Sequence, residues 1–209
     1  MATQSGRTTS SAIQEGLPQT RADQILDIAR RLFGEHGYDR TSLRDIAEAA
    51  GITKAALYYH FPDKDALYKK VVIEGLQHLI ADVGAAIEKE STALSRIKAF
   101  FYASMDFYEA HPSHFMAGSN SFRVQTGDKR LMALELRDKY EGILRECLRE
   151  AMENKDLRRV DEALLARYLL SSFNQINRWY SPEGKMTLRE VTDSYLDFAF
   201  NGISVGVDI

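Results

Sequence analysis

Apolar residues recur at intervals of three and four along almost the whole of this 209-residue chain. That spacing lines one face of an α-helix and is wrong for a strand, whose side chains alternate between faces. Alternation of apolar and polar residues is rare here, so an all-α fold is expected. The apolar fraction of 44% allows a sizeable core.

Caps and breakers divide the chain. Thr20 with Asp23 makes a capping-box-like start. Ile25, Ile28, Ala29, Leu32 and Phe33 then mark one helical face, and Gly37 closes it. Ser42 with Asp45 opens a short second helix, with Ile46, Ala47 and Ala50 inward and Gly51 at its end. A third runs from the cap Thr53 to about Phe61, where Pro62 stops it. Asp63 caps a long fourth helix carrying Leu67, Val71, Leu76, Ile80, Val83 and Ile87 along one side. Five more are predicted over 94–110, 112–122, 128–154, 161–180 and 187–203, for about nine in all. Thr187 and Glu190 form another capping box.

The stretch "GITKAALYYHFPDKDALY", residues 51–68, carries the functional signal. Two short helices joined by a glycine turn make a helix-turn-helix. Leu43, Ile46, Ala47, Ile52, Leu57 and Phe61 are its expected inner positions, backed by Leu32 and Phe33. Lys54, Ala55, Tyr58 and Tyr59 are then left pointing outward. A DNA major groove is about 12 Å wide and admits one helix. Lys54 can donate to guanine; Ala55 and the Tyr58 ring can touch thymine methyls. Tyr59 and His60 can bond phosphates. Ser42 and Arg44 at the start of the second helix, and Lys64 past the third, are further phosphate anchors. Core packing is the bland alternative for the tyrosine pair, and the helix-turn-helix context argues against it.

Charge permits this reading without proving it. The chain totals −3, but residues 21–70 hold nine Lys or Arg against eight Asp or Glu, whereas 71–209 hold 17 against 21.

Residues 29–68, "ARRLFGEHGYDRTSLRDIAEAAGITKAALYYHFPDKDALY", closely resemble the DNA-binding domain of TetR-family transcriptional regulators. The matching features are Phe33-Gly34, Gly37-Tyr38, Thr41-Ser42, Asp45-Ile46-Ala47, Ala50-Gly51, Leu57-Tyr58-Tyr59-His60-Phe61 and Lys64. The resemblance implies a helical ligand-binding and dimerisation domain behind, and a homodimeric repressor released from a palindromic operator by a small molecule. It assigns Lys54, Ala55 and Tyr58 to bases. It assigns Ser42, Arg44, Tyr59, His60 and Lys64 to phosphates, with Thr53 as helix cap and phosphate donor. The implied domains are a flexible arm over 1–19, the helix-turn-helix domain over 20–66, and the ligand-binding and dimerisation domain over 67–209.

In the rear domain, helices 161–180 and 187–203 are apolar on more than one face. One side suits the chain's own core and another a partner copy. An apolar effector site is expected among Phe100, Phe101, Met105, Phe107, Phe115, Met116, Phe122, Tyr140 and Phe173, although such a stripe is also ordinary core. The tail "NQINRWYSPEGKMTLREV" resembles that of family members answering to acyl-CoA thioesters. The resemblance implies an acyl or acyl-CoA effector; Arg123, Lys129 and Arg137 are the candidates to meet its negative charge.

Other chemistries find little support. No phosphate loop, nucleophile elbow, zinc motif or dinucleotide fingerprint occurs, so no enzyme is expected and no cofactor or metal. His111 and His114 flank Pro112 and read as a loop pair. The single Cys147 falls in an apolar stripe and reads as core. Trp179 reads as structural, at a helix end or dimer seam. A lone cysteine, no membrane-length apolar run and no secretory leader point to the cytoplasm.

Overall fold

Helices begin where the sequence supplies a side-chain cap. The computed structural model describes residues 20–112 and 128–202, with side chains from 132 onward in the second segment. Helix α1 (Arg21–His36) starts at Thr20, whose hydroxyl accepts from the Asp23 N–H at 3.2 Å, while Asp23 accepts from the Thr20 N–H at 2.9 Å. The same reciprocal box opens α2 (Leu43–Ala49) through Ser42 and Asp45. Thr53 caps α3 (Lys54–His60), accepting from the Ala56 N–H at 3.1 Å. Asp63 caps α4 (Lys64–Ile87), accepting from the Ala66 N–H at 2.6 Å.

Behind these stand α5 (Ala93–Ala110) and α6 (Asp128–Glu153). They are followed by α7 (Glu162–Asn174), a short 3-10 turn (Ile176–Arg178) and α8 (Leu188–Asn201). Thr187 and Glu190 form the capping box of α8. Thr20, Ser42 and Thr187 donate to Asp23, Asp45 and Glu190 and hold these carboxylates below their usual range. The stability they add is present above the unfolded-state values. It is lost as pH falls through the lowered folded values.

The fold is all-α, with eight α-helices among the described residues. Of the helix expected over 112–122, only residue 112 lies among them. The expected 161–180 helix ends instead at Asn174 and tightens into the 3-10 turn. Residues three apart eclipse in such a turn. Ile176 still joins Phe173 in the rear core, while Trp179, just past the turn, stands half out in solvent, 6.2 Å from the Tyr195 ring.

Two hydrophobic cores share α4. The front core takes Ile25, Leu26 and Phe33 from α1, Ile46 from α2, Leu57 from α3, and Leu67, Val71 and Leu76 from α4. The rear core begins with Leu79 and Val83 of the same helix, and adds Phe100 and Phe101 of α5, Leu144 and Leu148 of α6, Phe173 of α7 and Leu196 of α8. The cores thus divide between Leu76 and Leu79, so the first turns of α4 pack with the front domain. Arg30 of α1 also pairs with Glu74 of α4 at 3.7 Å. Cys147 is buried in the rear core, and burial pushes its thiol up. The His111 N–H donates to the Phe107 carbonyl at 2.8 Å, closing α5, while His114 lies outside the described residues. Among the described residues no cluster of His, Cys, Asp or Glu could hold a metal, and no helix is long and apolar enough to cross a membrane.

Candidate nucleic-acid interface and effector region

The turn between α2 and α3 is set by backbone geometry. Gly51 has φ +63°, a left-handed conformation that glycine adopts without penalty. The Ile52 N–H then reaches the Ala47 carbonyl at 3.0 Å. Arg21 spans to the Ala50 carbonyl at 2.9 Å and ties the start of α1 to the end of α2. Buried Thr41 donates to the Gly37 carbonyl at 2.9 Å and fixes the other end of α2 against α1. These contacts hold α3 at a set angle with Leu57 fully buried beneath it.

What α3 leaves outside is the predicted reading face. Lys54 and Ala55 are exposed, Tyr58 is 43% exposed and Tyr59 86%. The exposure of Tyr59 is too great for a core role. Seven residues at about 1.5 Å each make roughly 10 Å of helix, a length that fits end-on in a major groove. The Lys54 ammonium stands 5.6 Å from the Tyr58 ring centroid, one helical turn along. Ala56, which the sequence reading passed over, is exposed as well. Thr53 and Ser42 are exposed caps, whereas His60 is half-buried, its ring 5.3 Å from that of Tyr59. Arg44 is exposed but donates to Glu48 at 2.8 Å. Lys64 lies over the Tyr38 ring, 4.0 Å from its centroid. Glu48 and Tyr38 thus both touch expected phosphate anchors. Only the i, i+4 spacing of Arg44 and Glu48 was a signal for this in the sequence.

Residues 25–71 match the family described as bacterial regulatory proteins, tetR family, and residues 90–203 match the tetracyclin repressor-like C-terminal domain. The chain belongs to the TetR family of transcriptional regulators. It is a DNA-binding, ligand-binding regulator and not an enzyme. TetR-family proteins of known structure share its architecture. PfmR from Thermus thermophilus is 34% identical with a TM-score of 0.79, covering 88% of this chain and 100% of that one. AibR, solved in complex with isovaleryl coenzyme A and operator DNA, is 25% identical with a TM-score of 0.81, covering 87% and 98%. The transcriptional repressor KstR2 of Mycobacterium tuberculosis is 27% identical over 194 residues, covering 90% of this chain and 96% of that protein.

The residues expected around an effector are part of the rear core where they are described. Phe101 stacks on Phe173 with ring centroids 4.1 Å apart, and Phe100 lies 4.7 Å from Tyr140. Met105 and Phe107 are buried beside them. The Tyr140 hydroxyl is 2.7 Å from that of Ser104, and burial pushes the tyrosine up. Phe115, Met116, Phe122 and Arg123 lie outside the described residues, as does the Lys129 side chain. Arg137 is half-buried near Tyr68 of the front core; burial lowers it, and it in turn restrains a Tyr68 pushed up to about 12. On the outer side of α5 is an open groove of about 370 Å³, bordered by Lys89, Lys98, Tyr102 and Arg189 and by none of the residues expected to line an effector site.

Proposed function

We propose that this TetR-family regulator is a homodimeric repressor of a palindromic operator, released by an acyl-type effector, with acyl-CoA thioesters as its class. The observation that carries the effector class is the likeness, over nearly the full chain, to AibR bound to isovaleryl coenzyme A and operator DNA. The repressor KstR2 at similar coverage and the Trp179-Tyr180 tail support the same reading. The front domain, 20–66 with the adjoining turns of α4, reads DNA; the remainder of 67–209 binds the effector and the second copy; residues 1–19 are an arm. Lys54, Ala55 and Tyr58 face bases, while Ser42, Arg44, Thr53, Tyr59, His60 and Lys64 anchor phosphates. Phe101, Met105, Phe115, Met116, Phe122, Tyr140 and Phe173 border the effector.

Dimerisation is assigned to α7 and α8. Leu164 and Tyr168 lie one turn apart on α7 and are 69% and 57% exposed; Phe198 on α8 is 53% exposed. Large apolar side chains left uncovered on two adjacent helices suit a partner surface. A twofold dimer sets its paired α3 helices on half-sites about one helical turn of DNA apart. Coupling runs through α4, which belongs to both cores. An effector that favours a tilted α4 by ~3 kcal/mol lowers operator affinity about a hundredfold.

Titrating isovaleryl-CoA and longer acyl-CoA thioesters against the operator-bound dimer is expected to release the DNA. Unchanged binding at saturation, read by fluorescence anisotropy, removes thioesters as the effector class. A second expected outcome concerns Glu48, which holds Arg44 away from phosphate. Replacing Glu48 by Gln should raise operator affinity about two- to fivefold, because an exposed ion pair is weak and the freed guanidinium gains a phosphate. Equal or weaker binding by the Gln variant would mean that Arg44 is not an anchor.

A further inference from the structure

We propose that Tyr38 is a positioning residue for DNA binding: its ring holds the Lys64 ammonium where the start of α4 presents a cation to the phosphate backbone. The proposal rests on the reading of Lys64 as a phosphate anchor.

Lysine is an odd choice at the first position of α4. The N-terminus of a helix carries partial positive charge and favours carboxylates. Helix stability therefore gives no reason for a cation there. Two acidic neighbours, Asp63 and Asp65, flank Lys64 in sequence, yet Lys64 forms an ion pair with neither. Each carboxylate has another partner. Asp63 accepts from the Ala66 N–H at 2.6 Å, and Asp65 accepts from the Tyr38 hydroxyl. One tyrosine thus engages the adjacent Asp65 carboxylate with its hydroxyl and the ammonium with its ring face, 4.0 Å from centroid to Nζ.

The ring itself is held firmly. It stacks on Phe33 with centroids 6.0 Å apart and meets Tyr68 edge-on at 4.8 Å. Both neighbours belong to the front core, so the platform is anchored to α1 and α4 together. A lysine side chain otherwise samples many rotamers, and each contact it makes costs that freedom. The ring restricts Lys64 before DNA arrives. It covers only one side of an ammonium that has three donors, so the others stay open to phosphate oxygens.

The test uses the full-length dimer and an operator duplex from its own promoter region. Affinity is measured across salt from roughly 50 to 200 mM, where each lost phosphate contact lowers the log–log slope by about 0.9. Lys64→Gln should lower the slope by about 1.8 for the two protomers. Tyr38→Leu should move it toward the same value and weaken binding about five- to thirtyfold for the dimer. Tyr38→Phe, which keeps the ring but frees Asp65, should retain more of the slope than Tyr38→Leu, and Tyr38→Leu should add nothing in the Lys64→Gln background. A wild-type slope in Tyr38→Leu beside a reduced one in Lys64→Gln overturns the positioning role and leaves Lys64 as an anchor. A wild-type slope in Lys64→Gln removes the anchor and the proposal with it. A slope in Tyr38→Phe as low as in Tyr38→Leu also overturns the ring's role. Should Tyr38→Leu not fold, the NMR spectrum of the wild-type protein decides: the Lys64 ε-methylene protons must be shifted upfield by the ring, and unshifted protons overturn the proposal.

Discussion

Replacing Lys54 and Tyr58 together by alanine is expected to abolish specific operator binding while the protein stays folded and dimeric. Both side chains lie on the outer face of α3, and neither belongs to the front core. Each base contact is worth about 1–3 kcal/mol of discrimination, and a dimer makes each twice. Loss of both contacts should therefore lower specific affinity by on the order of a thousandfold or more. Non-specific binding, which depends on the phosphate anchors, should persist with its salt dependence. The two residues also stand 5.6 Å apart as a cation–ring pair, so the single substitutions should not add independently. Anisotropy with operator and scrambled duplexes gives both affinities, and circular dichroism the folding. An operator affinity within a few-fold of wild type would show that another surface reads the sequence.

The second large effect is expected at the partner face. Leu164→Glu with Tyr168→Glu places four carboxylates across a twofold interface, because such an interface brings the same patch of each copy together. Both positions are already more than half exposed, so the isolated chain should tolerate the change with little loss of stability. The dimer should not tolerate it, since apolar contact is replaced by like charges. Sedimentation should then give the mass of one chain. Operator affinity should drop by about a hundredfold or more, because the second reading helix loses the effective concentration that the first one supplied. A variant that sediments as a dimer with operator binding intact places the partner surface elsewhere.

Much of this protein was legible from local chemistry. Thr20, Ser42, Thr53, Asp63 and Thr187 each cap the helix they were expected to cap, since a cap needs only a side chain and an N–H three residues on. Gly51 marked the turn for an equally local reason, the left-handed φ it supplies. Leu57 and Phe61 were readable as inner positions because helical periodicity separates faces. By the same rule Lys54, Ala55, Tyr58 and Tyr59 were left for solvent, and their exposure agrees.

Other features depended on residues distant in the chain. The halving of α4 between two cores was invisible, because its apolar stripe runs unbroken through Leu76 and Val83 and periodicity does not say which neighbour covers each turn. The end of α7 at Asn174 was missed for a similar reason: no local breaker stands there, and Ile176 of the 3-10 turn shares the rear core with Phe173. Tyr38 is the clearest case. Beside Gly37 it read only as part of a family pattern, and its contacts with Lys64 and Asp65 span more than twenty-five residues. By itself the sequence determined where the capped helices start and the outward face of α3, because hydrogen bonds and periodicity act over a turn or two. Tertiary structure alone decided how α4 is shared and which ring lies under Lys64, because those contacts exist only once separate helices have packed.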